Sequence, residues 1–248
     1  MLKQIIRKIK KFAEKTTGTI ILRQMPFGCG VAQDISLRFP NYRFKTILDV
    51  GANTGQSALY YISEYPSAVI YCFEPIKESY EQLLRNVDNK NQVLCFNLAF
   101  GDLSGKGSMI SNGTSTMNRL INEEIESFGN TQKIESVNIS TVDEFCNANL
   151  INNISYLKID TEGGELNVLK GSKNILSTKI VDFVEVEAGM NPNNKYHVPL
   201  EVLKKFLESH NYFIFGIYEQ EREWPEGKPN LRRTNTVFIS EKMIQNAR

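Results

Sequence analysis

The chain has 248 residues, 41% hydrophobic and 23% charged, a size and composition that suit one α/β core with a short extension. Lys and Arg total 29 against 28 Asp and Glu. That balance lacks the clustered positive charge a nucleic-acid partner requires. No apolar run reaches the ~18 residues of a membrane span, and the four scattered cysteines form no C-x-x-C pair, which excludes a structural zinc centre and fits a reducing, cytoplasmic setting.

Residues 1–15 depart from that balance. Lys3, Arg7, Lys8, Lys10, Lys11 and Lys15 face only Glu14, while Leu2, Ile5, Ile6, Ile9, Phe12 and Ala13 recur at helical spacing. The pattern predicts a basic amphipathic helix, read as an accessory element covering the domain or making a homodimer contact. Its composition also suits peripheral contact with an anionic membrane surface. Pro26, Gly28, Gly30 and Pro40 then mark an irregular stretch, so residues 1–40 form an extension and 41–248 the domain.

From Phe44 onward, strand and helix patterns alternate. Strands are expected at Phe44–Val50, Ala68–Phe73, Gln92–Ala99, Ser136–Ile139, Ile154–Ile159 and Ile180–Val186. Helices are expected at Gln56–Glu64, Lys77–Asn86, Val142–Ala148 behind a Thr141 cap, from Glu165 through Leu176, and at Leu200–Ser209. Residues 101–118 read as loops or hairpin strands, and Asn122–Phe128 as a short helix. Tyr212–Tyr218 and Thr236–Ile239 close the chain as an antiparallel pair around a long polar loop that carries Arg222 and Trp224. Such alternation implies a parallel sheet with helices on both faces, ending in an antiparallel hairpin.

Ligands of open α/β sheets bind at the carboxyl ends of the strands. Here Asp49-Val50-Gly51-Ala52-Asn53-Thr54-Gly55 leaves the first strand and opens the first helix, and its glycines permit a tight turn and close approach to a ligand. The spacing lacks the third glycine of a dinucleotide fingerprint and the Gly-Lys-Ser/Thr of a phosphate loop. An acid before such a loop suits a sulfonium amino acid. Glu74 ends the second strand, where a carboxylate can accept two ribose hydroxyls.

The segments Ile47–Gly55, Phe73-Glu74-Pro75, Asn97–Asp102, Thr141-Val142-Asp143, Leu157–Glu165, Val168–Gly171 and Glu185-Val186-Glu187 resemble the FkbM family of methyltransferases. The resemblance implies a Rossmann-like class I methyltransferase fold: a mostly parallel seven-stranded sheet with a terminal antiparallel hairpin and helices on both faces. It also implies S-adenosyl-L-methionine as the cofactor and O-methylation of a sugar or a secondary metabolite. By position, Asp49, Gly51, Ala52, Asn53, Gly55, Glu74 and Pro75 match cofactor contacts, with Ala99, Gly101 and Asp102 near the adenine.

Asp160 and Glu162 follow the strand expected beside the first, where the transferable methyl should lie. One of them is a candidate base for the acceptor hydroxyl; as a pair they also suit a divalent cation, although no metal ligand set is predicted. The bland reading has Asp160 capping the next helix, and Glu162 or Glu165 bound to backbone or to Lys158. Glu187, at the end of the next strand, and His197, in the loop beyond it, complete the catalytic candidates. The expected function is O-methylation of a sugar, nucleotide-sugar or glycan hydroxyl, with a non-sugar metabolite or an inactive interaction module as alternatives. A nicotinamide oxidoreductase is disfavoured by the missing glycine and by the absence of a Tyr-x-x-x-Lys pair.

Overall fold

The computed structural model describes residues 2–20, 25–111, 119–120, 133–192, 194, 196–223 and 228–247. Two helices come first, α1 (Leu2–Thr17) and α2 (Val31–Arg38), followed by β1 (Thr46–Val50), α3 (Gln56–Glu64), β2 (Val69–Phe73), α4 (Lys77–Asn86) and β3 (Val93–Phe96). Four short strands follow: β4 (Ala99–Phe100), β5 (Gly105–Ser111), β6 (Arg119–Leu120) and β7 (Lys133–Ser140). The second half runs α5 (Val142–Ala148), β8 (Ile154–Ile159), α6 (Glu165–Lys170), α7 (Lys173–Ser177), β9 (Val181–Gly189) and α8 (Leu200–Ser209). It ends with β10 (Tyr212–Glu223), β11 (Lys228–Ser240) and α9 (Glu241–Asn246).

The main sheet has seven strands in the order β10-β11-β9-β8-β1-β2-β3. Only β11 runs against its neighbours, between β9 and β10. Side chains alternate across the sheet. Leu48, Val50 and Phe73 join α5, α6 and α8 in one core, while Ile47, Ile70 and Cys72 join α2, α3, α4 and α9 in the other. The expected helices-on-both-faces sheet is therefore what the chain forms.

Three expectations change. Residues 31–38 are helical rather than irregular, and Ile35, 1% exposed, belongs to the second core. Residues 99–140 build a second, four-stranded sheet, β4-β7-β5-β6, where only loops, a hairpin and a short strand were expected. The helix predicted to run through Leu176 breaks into α6 and α7 at Gly171, which packs so closely that a Cβ there would stand 2.0 Å from the Gly101 carbonyl oxygen. Thr141 caps α5 as expected, its hydroxyl accepting the Glu144 N–H at 3.1 Å. The predicted helix at Asn122–Phe128 and the reading of Trp224 lie outside the described residues. Arg222 does not sit in a polar loop: β10 runs on to Glu223 and β11 begins at Lys228, and within β10 the buried Tyr218 donates to Asp34 Oδ2 at 3.0 Å.

Candidate active site

A cleft of about 1340 Å³ opens at the carboxyl ends of β1, β2, β8 and β9. One wall is the β1–α3 loop. Gly51 and Gly55 take φ values of 86° and 94°, and the N–H groups of Gly51 and Ala52 both donate to the Phe73 carbonyl at 3.0 Å, sewing the loop to β2. A Cβ on Gly51 would lie 1.8 Å from the Asp160 carbonyl oxygen, and one on Gly55 would lie 2.8 Å from Leu83 Cδ1. At Gly51 the packing of the chain against itself already demands a glycine, and the residue lines the cleft as well; at Gly55 the left-handed backbone is the stricter requirement.

Glu74, at the end of β2, is buried and ties the same loop. Its Oε2 accepts the Asn53 N–H at 3.0 Å and its Oε1 the Ile76 N–H at 2.8 Å. Burial nevertheless pushes its pKa up to about 7. Each oxygen retains a lone pair toward the cleft. Asn53, at φ 47°, carries a buried Oδ1 with no hydrogen-bond partner. Ala52, Pro75 and Ala99 also line the cleft. Four of the predicted contacts do not. Asp49 is wholly buried with Lys158 Nζ 3.8 Å away, Gly55 packs on α4, Gly101 packs on Gly171, and Asp102 is exposed.

The four predicted catalytic residues converge at the other end. Asp160 Oδ2 accepts from Lys158 Nζ at 2.9 Å and caps no helix. Burial favours its neutral form, but the Lys158 ammonium outweighs this and holds the carboxyl below its usual range. The next turn is pinned by Glu165, whose Oε1 accepts the N–H groups of Thr161 and Gly163 at 3.1 and 3.0 Å. Glu162 stands at φ 51° on that turn, a strained position of the kind that collects at functional sites. Burial first, then the charges of Glu187 and Asp160, push its carboxyl up to about 7.

His197 is not a solvated loop residue, being only 5% exposed. Its Nε2 lies 2.8 Å from Glu187 Oε2 and 3.5 Å from Glu162 Oε2. Burial pulls the imidazolium down, but Glu187, Glu162 and Glu165 outweigh it and raise the pKa. The other ring nitrogen is engaged too: Nδ1 lies 2.9 Å from Asn194 Nδ2 and 3.2 Å from Asn194 Oδ1, while Asn194 Nδ2 also donates to the Arg232 carbonyl at 3.1 Å. Arg233, from β11, pairs with the other oxygen of Glu187. Ligand atoms of Glu162, Glu187 and His197 all lie within 4.8 Å of one another, a set a divalent cation can use, although it would have to displace the imidazole proton.

Lys158, Glu185, Arg233 and Asn235 also line the cleft and were not singled out as site residues. Glu185 accepts from Tyr156 Oη and, at 3.0 Å, from Asn235 Nδ2; burial pushes its carboxyl up to about 7. The first Glu of Glu185-Val186-Glu187 was the available signal. Arg233 and Asn235 carried none, because only the pairing of β11 with β9 brings them here.

Sheet order and cleft define a class I methyltransferase. Residues 49–214, more than half of the chain, match the methyltransferase FkbM domain, and the chain belongs to that family. It is 24% identical over 199 residues to the 2-O-methyltransferase NoeI of Sinorhizobium fredii, covering 76% of this chain and 79% of that protein. With the hexuronic acid methyltransferase AglP of Haloferax volcanii it shares 27% identity over 152 residues, 59% of this chain and 57% of the relative. Among solved structures, Aeropyrum pernix fibrillarin with natively bound S-adenosyl-L-methionine aligns at a TM-score of 0.46 and 14% identity, covering 81% of this chain and 69% of that one.

The enzyme is an S-adenosyl-L-methionine-dependent methyltransferase, and its own residues fit that cofactor. Glu74 offers free lone pairs to a ribose diol, and the partnerless buried Asn53 Oδ1 suits an ammonium donor.

Proposed function

We propose that the enzyme methylates a hydroxyl oxygen of a sugar, nucleotide-sugar or glycan, with Glu162 as the general base. One observation carries this reading: a carboxylate poised near neutrality stands at the acceptor end of the cleft, beside an imidazole already occupied on both nitrogens. Asp160 is too weak a base, since Lys158 holds its charge, and both His197 nitrogens are already engaged, by Glu187 and by Asn194.

When bound, the donor supplies an electrophilic methyl carbon whose bond to sulfur breaks as the acceptor oxygen forms its own, leaving a neutral thioether. Glu162 takes the hydroxyl proton. Burial keeps Glu162 basic, and the Glu187 carboxylate, positioned by His197 and Arg233, adds to it. Asp160 and Lys158 fix the end of β8 against the β1 loop, whose alignment of the reactants supplies much of the rate.

The sugar class is supported by the two relatives and by the cleft wall. Tyr60, 45% exposed, offers a ring face, and Glu219, Glu223 and Asn235 offer hydroxyl partners. The test is incubation with S-adenosylmethionine and panels of free sugars, nucleotide-sugars and glycans, read by mass spectrometry and NMR. A new O-methyl ether on a sugar ring is expected. Methylation confined to nitrogen, carbon or non-sugar hydroxyls overturns the proposal.

A further inference from the structure

α1 displays an unusual surface. Ile5, Ile6, Ile9 and Phe12 are 49%, 57%, 63% and 72% exposed, so its apolar side is bare. These residues recur at helical spacing along one stripe, roughly a third of the circumference at 3.6 residues per turn. Arg7, Lys8, Lys10, Lys11 and Lys15 fill the rest, opposed only by Glu14, which pairs with Lys10 at 3.6 Å. By helical rotation, Lys8 and Lys10 flank the apolar stripe on either side, where long stems can lie along a greasy surface while their charges reach outward. Among the described residues no helix is long and apolar enough to cross a membrane.

We infer that α1 seats the enzyme on an anionic lipid surface, with the four apolar side chains in the acyl boundary and the basic residues among the headgroups. Charge selects this occupant. A second α1 laid against the same stripe would bring two sets of six cations together with one acid each, and an anionic bilayer neutralises what a second copy would repel. The inference does not depend on the acceptor or on the catalytic assignment.

The experiment uses the full chain in flotation with vesicles of phosphatidylcholine alone, or with about one-third phosphatidylglycerol. The protein is expected to float with the anionic vesicles at low salt and to be released in high salt, because the attraction is screened. Ile9→Glu with Phe12→Glu should weaken that binding by more than about tenfold, since both large apolar side chains are lost from the boundary. Unchanged donor affinity in this variant shows that the domain is intact. Three results overturn the inference: no flotation, equal flotation with neutral vesicles, or a concentration-dependent dimer that the same substitutions dissolve.

Discussion

Glu162 Oε2 lies 3.5 Å from His197 Nε2, in a triangle whose third corner, Glu187, sits 2.8 Å from the same nitrogen. His197 Nε2 thus faces two carboxylates at once. The more exposed of them, Glu162, is left with a pKa near 7.

That arrangement sets a pH profile. Glu162 acts only when ionised, so turnover should rise with pH through about 7 and then level off. Glu162→Gln should lower kcat about 100-fold or more and flatten the rise while leaving donor affinity unchanged. Activity should persist in EDTA. A wild type silenced by EDTA and restored by Mn²⁺ would mean that the triangle holds a cation instead of a proton.

Glu74 anchors the loop beneath it and, on the proposed reading, takes the donor's ribose as well. Glu74→Ala should cost about 2–4 kcal/mol of S-adenosylhomocysteine affinity by calorimetry, because both the ligand's acceptor and the Asn53 anchor are lost. The neutral carboxyl accepts less well, so wild-type affinity should fall as pH drops through about 7. Affinity unchanged by the substitution would place the ribose elsewhere.

Gly51 is a packing requirement. Gly51→Ala must carry a Cβ at φ 86°, costing roughly 1–2 kcal/mol by itself. The Asp160 carbonyl 1.8 Å away then forces β1 and β8 apart. A clearly lowered Tm is expected in the absence of any ligand. A variant that melts normally yet fails to bind donor would show that the glycine serves the ligand alone.

Asp160 and Glu162 are two residues apart and should behave differently. Asp160→Asn strips Lys158 of its 2.9 Å partner and leaves it to Asp49 and Glu185. With Asp160 partly exposed, a loss of roughly 1–3 kcal/mol in stability is expected. Whatever turnover remains should still rise with pH, with a midpoint shifted downward because the Asp160 charge that helps raise Glu162 is gone. A flat profile in the Asn variant would move the base from Glu162 to Asp160.

Local pattern made most of the sheet legible. The predicted helices over 56–64, 77–86, 142–148 and 200–209 coincide with α3, α4, α5 and α8, because apolar spacing and flanking breakers are local signals. What escaped was long-range. The second sheet needs β5 to meet β7 from more than twenty residues away. Arg233 reaches Glu187 only across the antiparallel β11–β9 pair. Asp49 looked like a ligand contact because it precedes a glycine, whereas strand alternation turns it to Lys158. That Asp160, Glu162 and Glu187 share one cleft was legible because acids at strand ends gather where the strands end; His197 joins them from the loop beyond β9.

Gly163 and Tyr196 bear on how this enzyme can be re-engineered. Gly163 has φ 104°, and a Cβ there would come within 2.8 Å of the Tyr196 carbonyl oxygen. The turn bearing Glu162 and the segment bearing His197 are thus fitted backbone to backbone. A graft that exchanges the His197 segment for another enzyme's, in search of a new acceptor, will displace the Glu162 turn unless the contact at Tyr196 is reproduced. On the proposed assignment, acceptor choice and proton removal travel as one cassette, and directed evolution of either should draw compensating substitutions from the other.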